Sequence, residues 1–173
     1  MQITRKHVGT LTMLGALVLS PLAIAQNASA VAPAASRQDT AFVAKASAAG
    51  MTEIQASKLA DSRAQSAAVK SFAARMVTDH TKAGDELSAL AQKDGFAPSA
   101  SPMPAQQKAL AKLETLNGAA FDKAYSSMML KDHNEAVALF KKESTSGKNN
   151  DLKSFASQTL PTLDEHLAMA KKL

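Results

Sequence analysis

Four long stretches of the chain set their apolar residues at alternating steps of three and four, the spacing of one buried stripe on a helix. The first runs Phe42, Ala46, Ala49, Glu53, Ala56, Ala60, and the second Val69, Ala73, Met76, His80, Ala83, Leu87, Leu90. A third helix is predicted from about Ala119 to Thr145, and a last one carries Leu152, Phe155, Ala156, Thr159, Leu163, His166 and Ala170. Asp39 or Thr40 is the expected N-cap of the first helix. Polar residues 62–66 separate it from the second, which should end near Asp94 with Gly95 as its cap. Pro98, Pro102 and Pro104 then exclude helix, residues 105–116 form a short helical piece, and Asn117-Gly118 interrupts it. Pro161 removes one backbone hydrogen bond and should kink the last helix one turn before His166.

Helices in bundles are normally joined by roughly two to eight residues. The link between the two helical pairs here runs for more than twenty and contains its own helix, enough to cross the side of a bundle. The expected fold is therefore all-α: a four-helix bundle of two hairpins with a long crossover connection carrying a short extra helix. Lys70-Ser71-Phe72-Ala73 recurs as Lys153-Ser154-Phe155-Ala156, each shortly after a hairpin turn, which suggests two hairpins related by an approximate twofold.

Each stripe carries one ionisable residue: Glu53, His80, His133 and His166. Such a side chain is costly to bury unless it is hydrogen-bonded, ion-paired or bound to metal, so four in one core need a shared explanation. Counted from the hairpin turns at 1.5 Å per residue, Glu53 and His80 are offset by about 7 Å and His133 and His166 by about 4.5 Å. All four fall near mid-bundle, where side chains of that length can meet. On helical wheels Glu53 and His80 sit at the centre of their apolar faces, and His133 and His166 some 50–60° toward the flank, by the ~100° turn per residue. Asp132 and Glu143 also fall near an apolar face and are possible contributors. Met76, Met128 and Met129 read as gap-filling core side chains, with thioether ligation of copper beside His133 the sharper alternative.

The start of the chain reads as a secretory signal over residues 1–25. Arg5 and Lys6 precede an apolar run from Leu11 to Leu19, and Ala23-Ile24-Ala25 is a small-x-small cleavage signature, with Ala28-Ser29-Ala30 a later option. Thr10, Thr12, Ser20 and Pro21 weaken the alternative of an uncleaved membrane anchor. Residues 26–38 read as a disordered leader, and residues 39–173 as one domain. A periplasmic or secreted protein without stable membrane insertion is expected. Removing Arg5 and Lys6 leaves 18 basic against 15 acidic residues, a formal charge of +3. That bias is too small for nucleic-acid binding, and with no Trp and one Tyr the chain lacks a stacking platform. There is no cysteine, hence neither a disulfide nor a lipidated cysteine. No nucleophilic triad or glycine-rich phosphate loop is present.

In Phe72-Ala73-Ala74-Arg75-Met76-Val77-Thr78-Asp79-His80, in Lys131-Asp132-His133-Asn134-Glu135-Ala136-Val137-Ala138-Leu139-Phe140 and in Leu160-Pro161-Thr162-Leu163-Asp164-Glu165-His166 the chain resembles a bacterial exported family described as domain of unknown function 4142. The resemblance covers about Asp39 to Lys172 and implies a ferritin-like helical bundle. Ferritin-like di-iron sites use a Glu-x-x-His motif on two helices. Here Val77, Leu130 and Leu163 stand three residues before the histidines, so that motif is absent. Three imidazoles and one carboxylate suit a single Zn²⁺, Cu²⁺ or Fe²⁺ better than a carboxylate-bridged pair.

Two functional readings follow from these residues. One is metal binding by Glu53, His80, His133 and His166, for sequestration or in a stress response. The other is an envelope interaction or structural module whose buried His/Glu network fixes helix register without metal. A metal-dependent oxidase is a third, requiring an open coordination position and a redox metal.

Overall fold

The structure, a computed structural model, describes Gln2 and residues 36–173; the rest of the expected signal segment and all but the last three residues of the expected leader lie outside the described residues. Five helices follow one another: α1 Arg37–Arg63, α2 Ala67–Asp94, α3 Pro104–Glu114, α4 Gly118–Ser146 and α5 Asn150–Ala170. Arg63, at the end of α1, donates to the Leu116 carbonyl and the Asn117 side chain just before α4, both at 3.3 Å. Gln38, at the start of α1, reaches Glu143 near the end of α4. Helices α1 and α4 are thus antiparallel neighbours. Contacts of Arg75 with Glu165 and of Asp94 with Asn149 make α2 and α5 a second antiparallel pair. The result is an up-down-down-up four-helix bundle whose crossover returns the chain along its length. α3 lies on α1 and α4 and buries Leu110 and Leu113. Among the described residues no helix is long and apolar enough to cross a membrane.

Helix ends follow local chemistry closely. Gly95 terminates α2 at φ 74°, in the left-handed region that glycine enters without a Cβ penalty. Gly118 opens α4 at φ 57°, and a Cβ there would lie 3.3 Å from Gln65 Oε1. α5 continues through Pro161. The recurring Ser-Phe-Ala segments take equivalent places: Ser66 and Asn149 each cap the third residue of the helix that follows, and Phe72 and Phe155 are both buried.

The N-terminus of α1 differs from expectation. Ser36 is the cap, accepting from the Gln38 and Asp39 amides at 3.2 and 3.4 Å, so residues 36–38 belong to the helix and its cap. Asp39 is freed for a tertiary role: its two carboxylate oxygens accept from the Lys148 and Asn149 amides at 2.8 and 2.9 Å and tie the α4–α5 turn to α1. Beside it, Glu143 is 1% exposed and accepts from Gln38 at 3.2 Å. Gly147 leaves the room this carboxylate needs, since a Cβ there would come within 2.7 Å of Glu143 Oε1.

Burial, against the Gln38 bond and with the help of the Asp39 carboxylate, pushes Glu143 up to about 7. A raised folded-state pKa means a contribution to stability that is complete below the ordinary value of 4.5 and lost as pH rises through about 7. Glu143→Gln should therefore flatten the pH dependence and be the more stable protein at pH 8 by about 2 kcal/mol. Urea unfolding of both proteins at pH 5 and pH 8 checks this; parallel changes in the two would rule Glu143 out as the source.

The apolar core is in two parts. One cluster, around Phe72, Met76, Phe121, Tyr125 and Met129, fills the end near the α1–α2 turn. The other, around Phe42, Val43, Leu87, Phe140, Leu152 and Phe155, fills the end near the α4–α5 turn. Glu53, His80, His133 and His166 form the polar layer between them, all four buried.

Candidate metal centre

Each of the four helices of the bundle presents one member of this layer. The ring centroids of His80 and His133 are 5.6 Å apart, those of His80 and His166 5.4 Å, and those of His133 and His166 5.4 Å. The axial offsets implied by the sequence thus close fully. His133 and His166 are 0% and 1% exposed despite their flank positions on the helical wheels. In a square bundle every helix touches two neighbours, so a flank residue faces the adjoining helix: His133 turns toward Glu53 on α1, and His166 toward α2.

One nitrogen of each ring is held from behind. His133 Nδ1 lies 2.9 Å from the Met129 carbonyl, which can only accept, so this nitrogen carries the proton. His166 Nε2 lies 2.8 Å from Asp79 Oδ2. Burial disfavours the charged form of Asp79, but hydrogen bonds from His166 and Arg75 outweigh it and hold this carboxyl below its ordinary range. His166 Nε2 is therefore the donor. His80 Nδ1 stands 3.1 Å from Glu53 Oε2, and His133 Nδ1 is 3.5 Å from Glu53 Oε1. Glu53 thus lies against two rings, and its Oε1, like one nitrogen of each ring, is buried without a hydrogen-bond partner.

The other nitrogens, His80 Nε2, His133 Nε2 and His166 Nδ1, are buried with no hydrogen-bond partner. Leaving one such group unpaired in a core costs roughly 1–3 kcal/mol, and three in one layer is a concentrated cost. The three histidines offer nitrogen atoms that all lie within 4.8 Å of one another, a grouping that could hold a metal ion. Glu53, which the sequence placed among the ligands, stands outside this grouping. Asp132 pairs instead with Lys131 at 3.6 Å, and Glu143 belongs to the Asp39 end of the bundle.

Burial sets the protonation of the layer. It lowers His80 to about 4, against the pull of Asp79, and lowers His133 and His166 against the pull of Glu53 and Asp79 respectively. It raises Glu53 to about 7, even with His133 nearby. At neutral pH the three rings are neutral bases, the form in which imidazole binds metals.

Sequence reasoning missed Asp79 and the Met129 carbonyl as partners of His166 and His133. Asp79 had one visible sign: it directly precedes His80, so a ~100° turn aims it at the adjoining helix. Met129 is four residues before His133, one helical turn, but nothing in a side-chain pattern marks a carbonyl.

Comparison with known proteins agrees with this architecture. No curated protein matches the chain. A crystal structure of a DUF305 fragment from Deinococcus radiodurans superposes with a TM-score of 0.70 at 18% identity, over 81% of this chain and 97% of that one, and shares the fold. The all-α four-helix bundle with a crossover expected from the sequence is therefore the fold. The model of the domain of unknown function DUF4142 matches residues 24–173, and the chain belongs to that family.

Proposed function

We propose that this protein binds a single transition-metal ion through His80, His133 and His166, with Glu53 and Asp79 orienting the ligands from behind. The observation that carries the reading is the three buried imidazole nitrogens without partners, each on a ring whose other nitrogen is engaged. Metal-binding histidines have this arrangement: a carboxylate or carbonyl on the far nitrogen sets the tautomer, raises basicity and leaves the lone pair facing the ion. With bonds of roughly 2.0–2.1 Å, two nitrogens on one ion are at most about 4.2 Å apart, so small ring rotations complete the site.

Three neutral nitrogen donors suit Zn²⁺, Cu²⁺ or Fe²⁺ and leave a coordination position open. The role is binding or sequestration rather than catalysis, outside the cytoplasm if residues 1–25 act as the secretory signal they resemble. The competing reading, a metal-free network that fixes helix register, draws support from the Glu53–His80 contact but leaves the three inward nitrogens unexplained.

The test is metal content by mass spectrometry on protein purified from its native compartment without tag or chelator, together with thermal unfolding in the presence of each ion. Near-stoichiometric metal is expected, with stabilisation of about 2.7 kcal/mol at a free ion concentration a hundred times Kd. Protein that is metal-free and unaffected by added Zn²⁺, Cu²⁺ or Fe²⁺ would overturn the reading.

A further inference from the structure

A half-open cavity of about 310 Å³ lies between α1, α2 and α5, next to the start of the crossover at Pro98 and Ser99. His80, His166 and Glu53 form its wall at the layer, each more than nine-tenths buried and each with one polar atom that has no hydrogen-bond partner. Thr81, Asp85, Ser88 and Pro98 also line it, and all four are exposed. The cavity therefore joins the buried histidine layer to solvent.

Small residues keep it open. Ala49, Gly50, Ala83 and Gly84 stand where larger side chains would close the α1–α2 seam. A Cβ at Gly84 would meet nothing within 4 Å, and one at Gly50 only His80 Nδ1 at 3.9 Å. Its charge has one sign. Glu53, Asp79 and Asp85 line the cavity, and no Lys or Arg does. Arg75 reaches Asp79 at 3.2 Å but also Glu165 at 2.7 Å, so these three groups together keep one negative charge. Asp85 adds a second, without counting Glu53, which burial raises to about 7. The rest of the wall, including Met51, Ile54, Leu87 and Phe155, is mostly apolar. Low-dielectric walls around charges of one sign focus the field into a cleft and concentrate the opposite charge there.

We propose that this cavity is the route by which a free, hydrated divalent cation reaches His80, His133 and His166, drawn in by Asp85 at the mouth and Asp79 further in. The inference rests on the metal-site reading, since an ion bound in the middle of a bundle needs an entry path. The space suffices: six waters of hydration, at about 30 Å³ of liquid volume each, take up about 180 Å³. Asp79 links the route to the site, because its Oδ2 accepts a hydrogen bond from His166 Nε2 at 2.8 Å. The same negative wall repels a metal carried by an anionic chelator, so the free cation is the form taken up.

The probe is Co²⁺, mixed with the full-length protein in a stopped-flow absorption experiment and withdrawn again by excess chelator. Asp85→Asn should slow association about fivefold at low ionic strength, with dissociation little changed, and the difference should vanish in roughly 1 M salt, where the screening length is about 3 Å. Asp61→Asn removes the same charge from α1 outside the cavity and should leave both rates as they are. Ala83→Leu and Ala49→Leu, each filling the cavity from a different helix, should slow association and dissociation by one common factor and leave Kd unchanged, because a route alters rates and not end states. Either variant alone decides if the other fails to fold. When citrate is added at fixed total Co²⁺, the association rate should follow the free ion. Equal rates for Asp85→Asn and its parent at low salt, equal slowing in Asp61→Asn, rates untouched by the leucines, or a rate indifferent to citrate would overturn the inference and leave the metal site standing. Failure of the protein to take up Co²⁺ would instead strike the metal-site reading, and this inference with it.

Discussion

Replacing His133 with Leu is expected to lower transition-metal affinity by about 10³-fold or more, since a three-histidine site spreads a binding free energy of order 10–16 kcal/mol over its ligands. The metal-free protein should respond in the opposite sense to an ordinary core substitution. His133 is fully buried, its Nε2 has no partner, and its Nδ1 bonds a carbonyl that already lies within the hydrogen-bonded turn of α4. An apolar side chain of similar size removes an unpaired polar group, so stability without metal should change by less than about 1 kcal/mol or rise. A polar network built for register would lose about 1–3 kcal/mol on the same change. Competition titration gives the affinity and urea unfolding in chelator gives the stability. A destabilised variant whose parent never gained stability from metal would decide for the network.

The second large effect concerns Phe72. It is 1% exposed and meets Tyr125, His133 and His166 edge-on, with ring centroids 6.2, 6.2 and 6.4 Å away. It is therefore at once the floor of the histidine layer and the centre of one apolar cluster. Phe72→Ala should cost about 3–5 kcal/mol, the range for emptying a buried aromatic site. The two rings lose the surface that fixes their rotation, so metal affinity should fall by about 10–100-fold, as when groups that orient ligands are removed. Unfolding and titration on one preparation test both. A full loss of stability with unchanged affinity would show that Asp79 and the Met129 carbonyl suffice to aim the rings.

Both substitutions act on one design constraint. On the proposed reading, a core with three unpaired imidazole nitrogens sacrifices stability when empty and would recover it on binding, because an ion that binds only the folded state stabilises it by mass action. The bundle concentrates that weakness in a single layer and places well-packed apolar clusters on either side.

Much of this layout was legible beforehand. The stripes containing Glu53 and His80 placed both at the centre of buried faces, and counting from the turns placed all four residues at one level. The crossover was legible from three prolines and a link too long for a simple turn. The N-cap was misread because Asp39 has the chemistry of a cap, and only its distant partners Lys148 and Asn149 show that Ser36 takes that place instead. Glu53 was read as a ligand alongside the histidines; the grouping of nitrogens comprises the three imidazoles, with the carboxylate lying against two of the rings, a placement that residue type does not encode.

The sequence by itself determined the helices, their pairing into two hairpins, the crossover and the presence of one ionisable residue on each seam. These depend on periodicity, capping and loop length, which are properties of neighbouring positions along the chain. Tertiary structure alone decided which nitrogen of each ring is left without a partner, that Asp79 and a backbone carbonyl hold the opposite nitrogens of two rings, that Glu53 lies against His80 and His133, and that small residues on α1 and α2 leave a cavity beside the layer. Those depend on the axial stagger and rotation of whole helices. Shifts of a fraction of a turn, invisible to a repeat of 3.6, decide which atoms come within bonding distance.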